Sequence, residues 1–80
     1  MITYYKNQKE LAQGLVEIID TYWKQKTSEQ NFLDYVNKVA QNNSEKLYKN
    51  NEFTSVIKQR LGKKRIELLN KILRTGELTK

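Results

Sequence analysis

Cysteine, histidine and proline are all absent from this 80-residue chain, and glycine occurs only three times. Without cysteine there is no disulfide, no thiolate metal site and no thiol nucleophile, which fits a reducing compartment. Losing histidine as well removes the usual general bases and transition-metal ligands, so only carboxylates, lysines, tyrosines and hydroxyls are left for chemistry. Ser28, Ser44 and Ser55 have no imidazole to activate them, and Gly14, Gly62 and Gly76 are too scattered to cradle a phosphate. The chain is therefore not expected to be an enzyme, nor to hold a cofactor or metal. No run approaches the ~18 apolar residues of a membrane span, and Met1-Ile2-Thr3-Tyr4-Tyr5-Lys6 lacks a secretory apolar core. A cytoplasmic protein that does not enter membranes is the expectation.

What is present is charge, unevenly placed. Residues 46–74 carry nine Lys and Arg against only Glu52 and Glu67, so nearly all of the net charge of +6 belongs to one stretch. A polyanion is the partner such a stretch suggests. A mean hydropathy of −0.84 with 30% charged residues could indicate disorder, but the 38% of hydrophobic residues recur at helical spacing, which indicates folding. Eighty residues make one domain near the lower limit for a single core, leaving little apolar surface for a deep pocket.

With no proline to punctuate the chain, element ends must be read from caps and glycines. Asn7 with Glu10 three residues later starts a first helix whose apolar set is Leu11, Leu15, Val16, Ile18, Ile19, Tyr22 and Trp23. That broad sector suits a central helix, and Gly14 on its edge allows a close neighbour. Thr27 with Gln30 repeats the capping spacing and starts a second helix, with Phe32, Leu33, Val36, Val39 and Ala40 inward. Gln41-Asn42-Asn43-Ser44 weakens it, and Leu47 and Tyr48 either close an extra turn or continue it. Asn50-Asn51 is the clearest internal break. A third helix over 52–61 turns Phe53, Val56, Ile57 and Leu61 to one side, Gly62 ends it in a left-handed conformation, and a fourth follows over 63–74 with Ile66, Leu68, Leu69, Ile72 and Leu73 inward. The expected fold class is all-α: a small bundle of four to five short helices with a glycine-linked, helix-turn-helix-like corner at the C-terminal end. Residues 1–80 form a single helical domain, with 1–6 as an extended arm and 75–80 as a frayed tail.

The run from Phe53 to Leu69 is the strongest constellation: a short helix, a glycine turn and a second helix with a cationic outer face. Helix-turn-helix DNA readers use such a unit, although Lys58 stands where they prefer a small residue and Lys63 where they prefer an apolar one. The same residues also fit a plain αα-corner with solvated lysines. A helix-hairpin-helix gripping phosphate at the amides near Gly62 is a third reading, short of one glycine. Arg60 and Arg65 fall at the edges of apolar sectors, where their stems pack and their guanidinium groups reach solvent, clamp a phosphate beside Gly62, or pair with Glu17, Asp20 or Asp34. Tyr22, Trp23, Phe32 and Phe53 are expected in the core, while Tyr4, Tyr5 and Tyr48 fall outside clear helices and are available as contacts. Glu17 and Asp20, on adjacent turns, read as surface charges and not as a cation site.

The stretch Asn51-Glu52-Phe53-Thr54-Ser55-Val56-Ile57-Lys58-Gln59-Arg60-Leu61-Gly62-Lys63-Lys64-Arg65, with Tyr4-Tyr5-Lys6-Asn7-Gln8-Lys9-Glu10-Leu11-Ala12 near the start, resembles a family of short, basic, uncharacterised proteins from Firmicutes. The likeness covers nearly the whole chain and implies an intracellular bacterial origin, with no site residues to carry over. The leading expectation is non-enzymatic binding of DNA or RNA through Lys58, Lys63, Lys64, Lys71 and Arg74 on phosphates, with Asn70 placed to touch a base edge. Glu67, four residues from both Lys63 and Lys71, mutes the patch. The rival expectation is a small protein-interaction module binding an acidic protein, or a homodimer that buries the apolar sectors of its first and last helices.

Overall fold

The computed structural model describes residues 3–50 and 52–75. Its elements are α1 (Gln8–Trp23), α2 (Glu29–Asn42), α3 (Ser44–Leu47), a two-stranded antiparallel hairpin of β1 (Tyr48–Lys49) and β2 (Glu52–Phe53), and α4 (Ser55–Thr75), which is broken at Gly62. The chain is mostly helical, as expected, but the hairpin was not anticipated.

Asn7 caps α1, its side chain accepting from the Glu10 amide at 2.9 Å. Glu10 answers through the Asn7 side-chain amide (3.2 Å). One residue separates the expected and observed starts of α2: Ser28, not Thr27, is the cap, accepting from the Asn31 amide at 3.1 Å. Gln30 serves Asp34 instead. Both residues are capping types, and Ser28 is the one whose extended backbone (φ −71°, ψ 155°) immediately precedes the first helical residue.

α1 is central, packing on α4, α2 and α3. Leu11, Ala12, Leu15, Ile18 and Ile19 face Phe32, Val36 and Val39 of α2 and Ile57, Leu61, Leu69 and Ile72 of α4 in one core, with Leu47 and Phe53 closing it. Much of the apolar sectors of α1 and α4 is thus buried inside one chain, with Val16, Tyr22, Ile66, Leu68 and Leu73 only partly covered. Trp23, expected inside, is 45% exposed, because it is the last residue of α1 and projects past the packed turns. Gly14 does admit a close neighbour: a Cβ there would lie 2.6 Å from Cζ of Tyr5.

The expected third helix begins three residues late. Asn50 takes a left-handed φ of 54° and turns the chain back, so that Tyr48 lies opposite Phe53 and Lys49 opposite Glu52. A two-residue link of this kind favours pairing over helix. Thr54 then starts α4, its backbone amide bonded to the Leu47 carbonyl and its hydroxyl reached by the Ile57 amide.

The expected N-terminal arm is docked where it is described. Asn43, only 2% exposed, accepts from the Tyr5 amide (2.9 Å) and donates to the carbonyls of Thr3 and Val39 (2.7 Å each). Met1 and Ile2 lie outside the described residues, as does the expected tail beyond Thr75.

Gly62 has φ 81° and ψ 168°, a region open essentially to glycine alone and different from the left-handed helical conformation expected. Among the described residues no atom lies within 4 Å of a Cβ built there, so the requirement is torsional and not steric. Gly62→Ala is expected to lower the unfolding free energy by about 1–3 kcal/mol in urea denaturation.

Candidate nucleic-acid interface

The break at Gly62 divides α4 into limbs 55–61 and 63–75. Arg65 fastens the second limb to α1. Its guanidinium donates to both Asp20 carboxylate oxygens (2.8 and 3.1 Å) and to the Leu61 carbonyl (3.1 Å), and it lies 5.7 Å from the Trp23 ring centre. Of the roles open to Arg65, pairing with Asp20 is the one observed, and Arg65 is thereby occupied. Glu17 accepts from Gln13, so neither carboxylate of the Glu17 and Asp20 pair stands alone.

Arg65 also fixes which way the second limb faces. With Leu69 and Ile72 inward, Lys63, Lys64, Glu67, Asn70, Lys71 and Arg74 are all exposed and span about 120° of the helix circumference at 100° per residue. Five of the six expected site residues therefore share one face. The sixth, Lys58, is on the first limb, where it forms a half-exposed ion pair with Glu52 at 3.5 Å. It nonetheless meets the face at a cleft of about 410 Å³ between the hairpin and the second limb, which Lys58, Asn70 and Arg74 line together. Lys63 and Lys64, at the start of the limb, and Lys71, a turn from its end, do not line it. Among the described residues, Lys63, Lys64, Glu67 and Arg74 form no ion pair, so Glu67 mutes the patch only by its charge.

The cleft wall was not foreseen. Tyr48 and Phe53 stack across the hairpin with ring centres 5.2 Å apart and planes at 15°. Phe53 is buried, while Tyr48 is half-buried, its phenol pushed above the ordinary value by desolvation. Among the described residues, Ile66 and Leu73 supply the remaining apolar lining, and Glu52 the only carboxylate. Aromatics flanking Asn50-Asn51 on both sides were the available signal, since a two-residue link sets them opposite one another on one face.

Other cations go elsewhere. Arg60 lies with Lys9 and Lys46 around a shallow groove near the start of α1. Lys46 sits 4.4 Å from the ring centre of Tyr4, which is 60% exposed, and donates to its hydroxyl. Tyr5 bonds Tyr35 through their hydroxyls at 2.5 Å, beside Gly14. Burial first, then this bond and the nearby Tyr5 and Glu17 charges, push the Tyr35 phenol well above its ordinary 10.0. The folded state therefore holds a proton that the unfolded chain gives up near pH 10, and stability present below pH 10 is lost as pH rises toward the folded value. Tyr35→Phe should flatten that alkaline decline in denaturation measured from pH 8 to 11.

Residues 2–74 match the model of a family described as conserved hypothetical protein. The chain belongs to that family. No curated protein and no solved structure matches it. The family description assigns no activity, so function must be argued from the chain itself. Among the described residues, no helix is long and apolar enough to cross a membrane.

Proposed function

We propose that this protein is a non-enzymatic, cytoplasmic nucleic-acid-binding protein that uses the outer face of the second limb of α4, mainly through phosphate contacts. The observation that carries the proposal is the position of Lys63 and Lys64. They begin a helical limb, where the helix dipole is positive and cations are disfavoured by about 0.3–1 kcal/mol each, and no carboxylate within ion-pair distance among the described residues offsets them. Such charges work against the fold and in favour of an anion. A phosphate there would meet two ammonium groups at the positive end of the limb's dipole. Lys71 and Arg74 extend the positive face by two to three turns, which suits a chain of phosphates better than a single ion. Within this reading, the Gly62 corner is the helix-turn-helix-like unit that projects the limb.

The experiment is titration of labelled random-sequence DNA and RNA at low salt. Micromolar binding that weakens steeply as salt rises supports the proposal, and no binding at 50 mM salt defeats it.

A further inference from the structure

We infer that the cleft between the β1–β2 hairpin and the second limb of α4 holds one unpaired nucleobase, so that the polyanion is a single-stranded nucleic acid. This rests on the nucleic-acid reading above and specifies its substrate.

Three features point to a base. The first is the aromatic surface: Tyr48 is backed by Phe53 in a near-parallel stack, and Phe53 is buried, so Tyr48 is the ring left to meet a ligand. A ring held flat by a second ring suits stacking of a planar heterocycle, which every base offers and no phosphate does. The second is the rim, where Asn70 brings both a donor and an acceptor to the same cavity, the combination that reads base edges. The third is charge: Arg74 also lines the cleft and continues the row begun by Lys63 and Lys64, while Lys58 there offsets the one carboxylate it pairs with, Glu52. The backbone of a strand running along the limb would pass Arg74 as one of its bases turned inward. At about 410 Å³ the cleft falls within the roughly 300–1,000 Å³ usual for small-ligand sites.

A duplex does not satisfy this arrangement. Its base faces are stacked within the helix and would have to be flipped out at a cost of a few kcal/mol, whereas an unpaired strand presents them freely.

The test is fluorescence anisotropy with labelled 12-nucleotide single strands and the corresponding duplexes, at 50 mM salt, on the intact protein and on Tyr48→Leu and Asn70→Ala. Tyr48→Leu keeps apolar volume but removes the ring, and Asn70→Ala changes an exposed helix position, so at least one variant retains the fold, as circular dichroism would verify. The expected result is at least a tenfold preference for single strands, with Tyr48→Leu weakening single-strand binding by about tenfold and Asn70→Ala by about threefold, while Tyr48→Leu leaves duplex binding unchanged. Equal affinity for the two forms, with both variants binding like the parent, overturns the cleft assignment and leaves the phosphate face standing. Competition by free nucleoside monophosphate at micromolar concentration also overturns it, by showing a mononucleotide site. Absence of binding to either form defeats the nucleic-acid reading itself.

Discussion

Replacing Asn43 with leucine is expected to lower the unfolding free energy by about 3 kcal/mol and the melting temperature by roughly 15–20 °C. Asn43 is a polar residue inside an apolar core, and its side chain makes three bonds at once: one accepted from the Tyr5 amide and two donated to the Thr3 and Val39 carbonyls. Leucine fills similar space but leaves the Tyr5 amide and the Thr3 carbonyl without that partner, at about 1.5 kcal/mol each, while the Val39 carbonyl keeps the backbone amide of residue 43. For a domain whose whole stability is of order 5–15 kcal/mol, that is a large fraction. Asn43→Asp separates hydrogen bonding from packing. It keeps the shape and one acceptor, yet turns a carboxylate oxygen toward two carbonyl oxygens, so it should cost at least as much as leucine at pH 7. Thermal melts of both variants give the answer. If Asn43→Asp melts with the parent, the described network is not what holds the arm to the α2–α3 junction.

The helices were legible because their faces and caps follow rules with a fixed period. Leu11, Leu15, Ile19, Val36, Ile57 and Leu69 could be assigned to the core from spacing alone, and Asn7 and Gly62 marked a start and a break that the fold respects. The hairpin was less accessible because two strands of two residues leave no alternating pattern to find. The Asn50-Asn51 link and the aromatics on either side of it were its sequence signal. Asn43 was equally hidden: within Gln41-Asn42-Asn43-Ser44 it looks like any helix-weakening polar residue, and its importance comes from Thr3 and Tyr5, about forty positions away. Trp23 failed for a related reason, since periodicity says which way a residue points but not whether the neighbouring element extends far enough to cover it.

For the candidate site, the outer face of the second limb could be read from sequence because Lys63, Lys64, Asn70, Lys71 and Arg74 belong to one helix. The role of Arg65, at the edge of the apolar sector, depended on its Asp20 partner on α1, a pairing that sequence could only offer among alternatives. The cleft depended on the hairpin and so shared its obscurity.

The double reversal Lys63→Glu, Lys64→Glu is expected to weaken nucleic-acid binding by about 100-fold at 50 mM salt. A phosphate that no lysine neutralises keeps its counterions, which forgoes about tenfold in affinity at that salt concentration, and the introduced carboxylates repel the rest of the strand. The same change should leave the fold intact or slightly firmer, because acidic residues at the start of a helical limb complement its dipole. Binding and stability thus move in opposite directions. A variant that loses binding by unfolding would show both falling together, so thermal melting of the same sample distinguishes the two.

The slope of log K against log salt for the unmodified protein, measured from about 50 to 200 mM, bears most directly on whether this chain grips a polyanion through its phosphates. Contacts from Lys63, Lys64, Arg74 and Lys71 give a slope of about −3 on single strands, amounting to roughly a 50-fold loss of affinity across that range. A slope near zero, or no complex at 50 mM, would contradict it.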